Sequence, residues 1–321
     1  MSTWTVDADT LVRSRFVLSP LAEATAALKA LHRATAAHPA ERAWLDRHLP
    51  AFRERLSADP ITATLVGAAF GRTWNADFLT PTPTGAADVA IEDELAVMRA
   101  TPPARAVADL GMSVVGPVPA VLHRDDLPER AADLLQWVWT RAVAPDWARR
   151  RRILEADVIA RAAVVSRSGW RPALDMLRPA MRWLGDGRLQ INAQDYPGRD
   201  LAGALLFFVP VTIRYSWVSW DAHGRSAIVY PCSGVLVEAD QPSPAALAAL
   251  LGARRAAVLT RLCTPLSTSQ LVELTGQALG SVGGHLKVLR DAGLVERGRA
   301  GRSVLYRRTA AGDTLVAASS T

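Results

Sequence analysis

Residues 275–309, "TGQALGSVGGHLKVLRDAGLVERGRAGRSVLYRRT", change their hydrophobic period once, and that change limits the folds open to the chain. Val282, Leu286 and Leu289 recur at i, i+4 and i+7, which places one apolar stripe on a helix from about Leu279 to Asp291. Ala292-Gly293 stops it. "LVERGR" and "SVLYRRT" then alternate around Ala300-Gly301, the pattern of a two-stranded wing. Just upstream, "PLSTSQLVELTG" predicts another helix, with Ser267 as N-cap candidate, Leu271 and Leu274 facing inward and Gly276 at its end. "AALAALLG" and "ARRAAVLTRLC" predict two more, with Leu247, Leu250, Leu251, Val258 and Leu262 in their core stripes.

Helix, tight turn, helix and wing predict a winged helix-turn-helix, whose second helix is shaped for the DNA major groove. The placement of charge agrees. Only Lys29 and Lys287 are lysines among 37 basic residues, so the arginine count by itself reflects genome composition more than function. Residues 241–321, however, hold ten basic side chains against four acidic ones, a surplus of +6 that equals the net charge of the whole chain. The first 240 residues are therefore neutral, and the excess sits mostly after Lys287.

The rest of the chain reads as one larger unit. "LAEATAALKALHRATA", "IEDELAVMRA", "ERAADLLQWVWTRAV" and "RRILEADVIARAAVVS" carry helical spacing, with "LTPTPTG" and "ATPPAR" between them. Near Gly185 the period shortens: "RLQIN", "ALLFFVPVTI", "YSWVSW" and "SAIVYPCSG" predict three or four strands over 186–236, with "WDAHGRS" as a hairpin turn. "EADQPSPAA" reads as a linker, Pro242 and Pro244 closing one domain and Ser243 placed to cap the next helix. The expectation is an α+β chain. Residues 1–239 form a sensing or dimerisation domain, helical to 185 and ending in a small antiparallel sheet, and 240–321 form the winged helix-turn-helix. The longest apolar run, Leu201 to Ile213, is too short to span a bilayer, and Met1–Thr10 lacks a signal-peptide pattern, so a cytoplasmic protein is expected. Cys232 and Cys263 fall in different predicted domains and read as small apolar residues.

Residues 245–309 resemble the ArsR-type family of bacterial winged-helix repressors, on "HLKVLRDAGLV" followed by a basic GR-x-V-x-Y wing. The whole chain is similar to a long, high-GC-bacterial branch of that family that carries an N-terminal domain of unknown function. The matching segments are "VRSRFVLSPLAEATAALKALHR", "DFLTPTP" and "RRRILEADVIARAA" with a following "GW". The resemblance implies a homodimer that binds double-stranded operator DNA, usually a repressor released by a signal. It does not carry over the metal sites of many relatives. "STSQLVELTG" has no cysteine and "AAGDTLVAASST" has one acid and no histidine, where a transition-metal site needs thiolate or imidazole. No cofactor is expected.

The residues on the DNA-facing side are Thr268 and Ser269 on the first helix, Gly280, Ser281, Gly284, His285, Lys287 and Arg290 on the second, and Arg297, Arg299, Arg302 and Arg308 on the wing. The family usually places Ser, Thr or Arg where this chain has Gly280, Gly283 and Gly284. The trio costs the helix about 3 kcal/mol against alanine. In exchange, the backbone is able to approach phosphates or base edges closely. An alternative reading is a protein-interaction module whose glycine-blunted helix no longer reads DNA.

Catalytic signatures are missing: no Walker loop, G-x-S-x-G or Rossmann fingerprint occurs, so an enzyme is not expected. His123, Asp125, Asp126 and Glu129 in "HRDDLPER" read as a helix start, and His38, Glu41, Asp46 and His48 in "HPAERAWLDRHLP" as a solvated helix face. All ten tryptophans precede residue 221. Most belong to the core or a dimer contact. If a small-molecule effector binds, Trp170, Trp183 and Arg214, at the junction of the last helices with the sheet, are the candidate lining.

Overall fold

The structure is a computed structural model that describes residues 2–36, 39–71, 74–178, 181–192, 198–232, 244–262, 265–300 and 303–319, with backbone alone at 39, 40, 269, 270, 273, 299, 300 and 303. β1 (Ser2–Thr5), α1 (Ala8–Arg13) and β2 (Arg15–Phe16) open the chain. There follow α2 (Pro20–Arg33), α3 (Pro39–Ser57), α4 (Pro60–Ala69), α5 (Ile91–Arg99), α6 (Pro103–Ser113), α7 (Leu127–Val138), α8 (Trp147–Ser168) and α9 (Trp170–Asp175). α2 is the hub. Ser19 caps it by accepting from the Ala22 N–H at 2.9 Å, and its alanines let α3, α5 and α7 pack closely around it.

β3 (Arg182–Gly185), β4 (Arg188–Asn192), β5 (Arg199–Asp200), β6 (Leu205–Val211), β7 (Trp217–Trp220) and β8 (Arg225–Pro231) complete two four-stranded sheets, ordered β3-β4-β1-β5 and β2-β6-β8-β7. The α+β class is as expected, but the single small antiparallel sheet is not what forms. Both sheets are mixed: β6 runs parallel to β2 and β8, and β1 parallel to β5. The reason is burial on both faces. Phe207, Val209 and Val211 point into the helical core, while Leu206 and Phe208 point toward Trp4, Leu189 and Ile191 under the other sheet. A continuous apolar strand of this kind belongs in the centre of a layered structure, where parallel pairing is common. Strands also begin before Gly185 and include two from the N-terminus, which "STWT" and "RF" are too short and polar to announce. The "WDAHGRS" hairpin turn is present: the Asp221 carboxylate accepts from the backbone N–H groups of His223 and Arg225 at 2.8 and 3.1 Å, and Gly224 takes φ +72°.

α8 joins the layers. Arg150 is 1% exposed and donates through Nη1 to Glu23 Oε1 at 2.5 Å and to the Thr212 hydroxyl at 2.7 Å. Glu23 also accepts from the Thr212 hydroxyl and, at 2.8 Å, from the Thr212 N–H. Further along, Asp157 accepts from the Tyr230 hydroxyl at 2.8 Å, and Arg161 donates to the Met176 carbonyl at 3.2 Å. The expected solvated face around Glu41 is corrected: Glu41 and Trp44 are buried, because the Trp44 indole donates to the Ala142 carbonyl and lies under the Arg150 guanidinium. His38 lies outside the described residues.

The C-terminal part holds α10 (Ala245–Leu251), α11 (Ala253–Arg261), β9 (Leu266–Ser267), α12 (Thr268–Thr275), α13 (Leu279–Asp291), β10 (Val295–Ala300), β11 (Ser303–Arg308) and α14 (Ala310–Ala318). Leu247, Val258, Leu262, Leu271, Val282, Leu286 and Leu289 are buried together. Leu250 is 67% exposed rather than core, because on so short a helix Leu247 and Leu251 already cover the inward side. The wing gains a third strand, β9 pairing with β11. Gly276 ends α12 at φ +64°. α12 packs on α8: Ala156 joins the C-terminal core, and Leu274 touches the Ile153, Leu154 and Cys232 cluster. Cys232 is a buried free thiol in that cluster, its pKa pushed well up by burial. Cys263 and residues 238–243 of the expected linker, including Ser243, lie outside the described residues; its remaining part is Pro244, at the start of α10, and the first two residues of that helix.

Two substitutions test this architecture. Arg150→Ala strands a buried carboxylate and is expected to cost about 3–5 kcal/mol in denaturant unfolding, most of it recovered by pairing Arg150→Met with Glu23→Leu. A Cβ at Gly312 would meet the Leu294 carbonyl oxygen at 2.2 Å. Gly312→Ala is therefore expected to cost about 1–3 kcal/mol by forcing α14 off the wing, measured the same way.

Candidate nucleic-acid interface

α13 starts after Ala278, an N-cap without a side-chain hydrogen bond, and runs its full length despite three glycines. Its inner stripe of Val282, Leu286 and Leu289 is at most 1% exposed. Gly280, Gly283, Gly284 and Lys287 share the outer face with the exposed apolar side chain of Val288, while Leu279 is exposed as the first residue of the helix. A Cβ placed on any of the three glycines meets nothing within 4 Å, and none of them has positive φ. Neither packing nor backbone conformation requires glycine there.

Ser281 and His285 occupy one flank of this face and hydrogen-bond each other, Oγ to Nε2 at 3.2 Å. Burial, and then the nearby Arg255 and Arg254, hold the His285 imidazole below its ordinary pKa. His285 is thus neutral at pH 7, presenting one donor and one acceptor. The sequence reading counted Arg254 and Arg255 in the C-terminal charge without assigning them to the site. Only the packing of α11 against α13 brings their charge to His285.

Arg290 lies 3.4 Å from Asp291, and Arg297 is exposed on β10 opposite Tyr306. Arg308 is placed differently from Arg297. Its side chain is 13% exposed and its Nε sits 2.8 Å from Asp313 of α14, so it fastens that helix to the wing. Arg307 pairs with Glu296 across the hairpin at 2.6 Å. Thr268 is the first residue of α12 and half-buried. The side chains of Ser269 and Arg299, and all of Arg302, lie outside the described residues.

Elsewhere, Asp126 stands at the start of α7 but binds Arg124 and Arg130 rather than a helix N–H, and the Arg124 hydrogen bond holds its carboxyl well below the usual range. Glu129 pairs with Arg99 at 3.0 Å. Among the described residues, no three His, Cys, Asp or Glu side chains are grouped to hold a metal, and no helix is long and apolar enough to cross a membrane. Of the expected lining, Trp170 and Trp183 pack against one core cluster and Arg214 does not join them there. Trp170 stacks on Phe16 and Phe208 at 6.4 and 5.4 Å, Trp183 packs on the core beneath β3, and Arg214 is exposed just beyond β6.

Residues 255–297, from α11 into β10, match the family described as bacterial regulatory protein, arsR family. No curated protein and no solved structure matches the chain. The family match supports a DNA-binding transcriptional regulator. As a helix change alone, Gly284→Ala is expected to stabilise the protein by about 1 kcal/mol, seen as a raised melting temperature.

Proposed function

We propose, from the premise that residues 255–297 form an ArsR-family helix-turn-helix domain, that the protein is a homodimeric transcriptional repressor. In this reading residues 240–321 bind operator DNA, and residues 1–239 supply dimerisation and the sensing of a small molecule. The observation that carries it is the outer face of α13, which is free of side-chain crowding, carries Lys287 and stands beside the basic wing. Lys287, Arg290, Arg297, Arg299 and Arg302 hold phosphates, which position the protein without reading sequence. Thr268 and Ser269 support the backbone contact from α12, and Ser281 and His285 reach base edges. The glycines let the helix backbone approach closely. Arg308, paired and largely buried, leaves the set of direct contacts.

The exposed Val288 on the same face favours a second reading, in which α13 docks a protein. Salt decides between them. Binding that weakens steeply with salt and protects particular sequences supports the regulator, and binding insensitive to both supports the docking module.

Two-fold symmetry places the recognition helices about one turn of DNA apart. Light scattering is expected to give a dimer and footprinting two half-sites; a monomer on one isolated half-site contradicts the proposal. Lys287→Ala or Arg297→Ala is expected to weaken all sequences alike and flatten the salt slope by about one unit. His285→Ala is expected to narrow the gap between operator and random DNA by about 1–3 kcal/mol. Gly284→Ala is expected to weaken DNA binding while raising the melting temperature. Unchanged or tighter binding would remove close approach as the reason for that glycine.

A further inference from the structure

A cavity of about 240 Å³ lies between α2, the segment after α4, the end of β4 and strand β7. Trp74, Trp217 and Trp220 form its aromatic walls, with Trp74 and Trp220 meeting edge to face at 5.6 Å. One of only two lysines in the chain points into it. Lys29 is 5% exposed, and its Nζ lies over the rings of Phe70, Tyr215 and Trp217 at 5.5, 5.6 and 5.3 Å while donating to Asn75 Oδ1 at 3.0 Å.

Two further polar groups line the cavity unsatisfied. Among the described residues, Arg178 Nη1 and Asn192 Oδ1 are buried with no hydrogen-bond partner. The first needs an acceptor and the second a donor. Buried polar atoms of this kind are costly when unpaired, and a pair of opposite sense in one aromatic cavity describes a ligand's complement. The charge is also unbalanced: Lys29, Arg33 and Arg178 face a single carboxylate, Asp77.

We propose that this cavity binds a small aromatic carboxylate carrying its own hydrogen-bond donor, with the carboxylate on Arg178 and Lys29, the donor on Asn192 and the ring against Trp217 and Trp220. The volume is below the ~300–1,000 Å³ of drug-sized sites, which restricts the ligand to about one substituted ring. The site is also connected. Arg178 follows α9, whose neighbouring Met176 carbonyl accepts from Arg161 of α8, and α8 packs on α12 beside the recognition helix. Binding itself stands on the cavity alone; its use as a repressor signal rests on the sensing role proposed above.

The pH dependence has a definite sign. Burial, and then Arg33 and Arg178, lower the Lys29 pKa to about 7 in the empty cavity. An anion arriving there raises it again, so binding takes up a proton above pH 7 and affinity falls as pH rises, by at most about tenfold per unit. Burial and then Asp109 push Asp77 up to about 6, so its ionisation opposes the anion in the same direction. Arg178, lowered by burial only to about 10, remains charged throughout, and Arg199 covers Trp220 at 4.3 Å.

Calorimetry on the full chain tests the proposal with 4-hydroxybenzoate, benzoate, benzamide and benzylamine. The expected order is 4-hydroxybenzoate, then benzoate, then benzamide, with benzylamine inert. Arg178→Met is expected to lower acid affinity at least about tenfold, the scale of one lost charged hydrogen bond, with the thermal melt unchanged or raised. Lys29→Met is expected to leave weaker binding that no longer falls between pH 7 and 8.5. No heat from either acid at about 1 mM, the weak end of useful affinity, overturns the proposal. So does equal binding of benzamide and benzylamine, or binding indifferent to both variants. The sensing role is read separately. Acid that binds without changing operator affinity leaves the site standing and removes the role, whereas a different compound releasing DNA from a protein that ignores both acids removes the site and keeps the role.

Discussion

Arg150 brings a guanidinium into the driest part of the molecule, where the fully buried Glu23 carboxylate and the Thr212 hydroxyl receive it. Taking both charges out of water carries a penalty of several kcal/mol per ion, offset by the Nη1 contacts and the Thr212 hydrogen bonds to Glu23, while Arg150 Nε and Nη2 are buried with no hydrogen-bond partner among the described residues. What it secures is position. Glu23 belongs to the hub helix α2, Thr212 directly follows β6 and Arg150 belongs to α8, so one interaction ties the helical layer, the central sheet and the connecting helix together. The same helix carries Ile153, Leu154 and Ala156 to α12. The place of the DNA-facing part relative to the rest therefore depends on a pair that is expensive to form and more expensive to break.

The central sheet divides the larger part into two cores. β6 feeds one with Phe207, Val209 and Val211 and the other with Leu206 and Phe208, and β7 repeats the division with Trp217 on the helical side and Trp220 on the other. A cavity at the edge of such a divider is lined from both sides, which explains why tryptophans from distant segments meet there. It also explains why a cationic α2 residue, Lys29, shares a wall with Arg178, from the segment after α9, and with Asn192 of the far sheet.

Legibility followed the range of the interactions. The α13 stripe of Val282, Leu286 and Leu289, the Asp221–Gly224 turn and the opposite faces of Trp217 and Trp220 are set within a few residues, and they read directly from spacing. β1 and β2 do not, because "STWT" and "RF" become strands only by pairing with partners about 190 residues away. Glu41 reads as solvated because its helix is polar in sequence, and only the layers around Trp44 bury it. Arg308 looks like its neighbours on the wing until Asp313 of the following helix is placed beside it. The cavity residues were not legible for the same reason: Trp74 and Lys29 reach it through tertiary contacts that no local pattern records.

The glycines of α13 close the argument on energetic grounds. Three of them cost the helix about 3 kcal/mol relative to alanine. Burial of Val282, Leu286 and Leu289 returns about 1.5–3 kcal/mol each, so the inner face alone carries the helix and the outer face is free to be shaped by something else. Open space beside each glycine means the fold does not demand them. In the proposed regulator the demand comes from the partner. A helix whose outer face is mostly backbone gives up hydrogen bonds to base edges and gains closeness of fit, which shifts discrimination toward groove shape, the wing and the few side chains that remain. Lys287 then positions, Ser281 and His285 read, and the glycines set the distance at which both act.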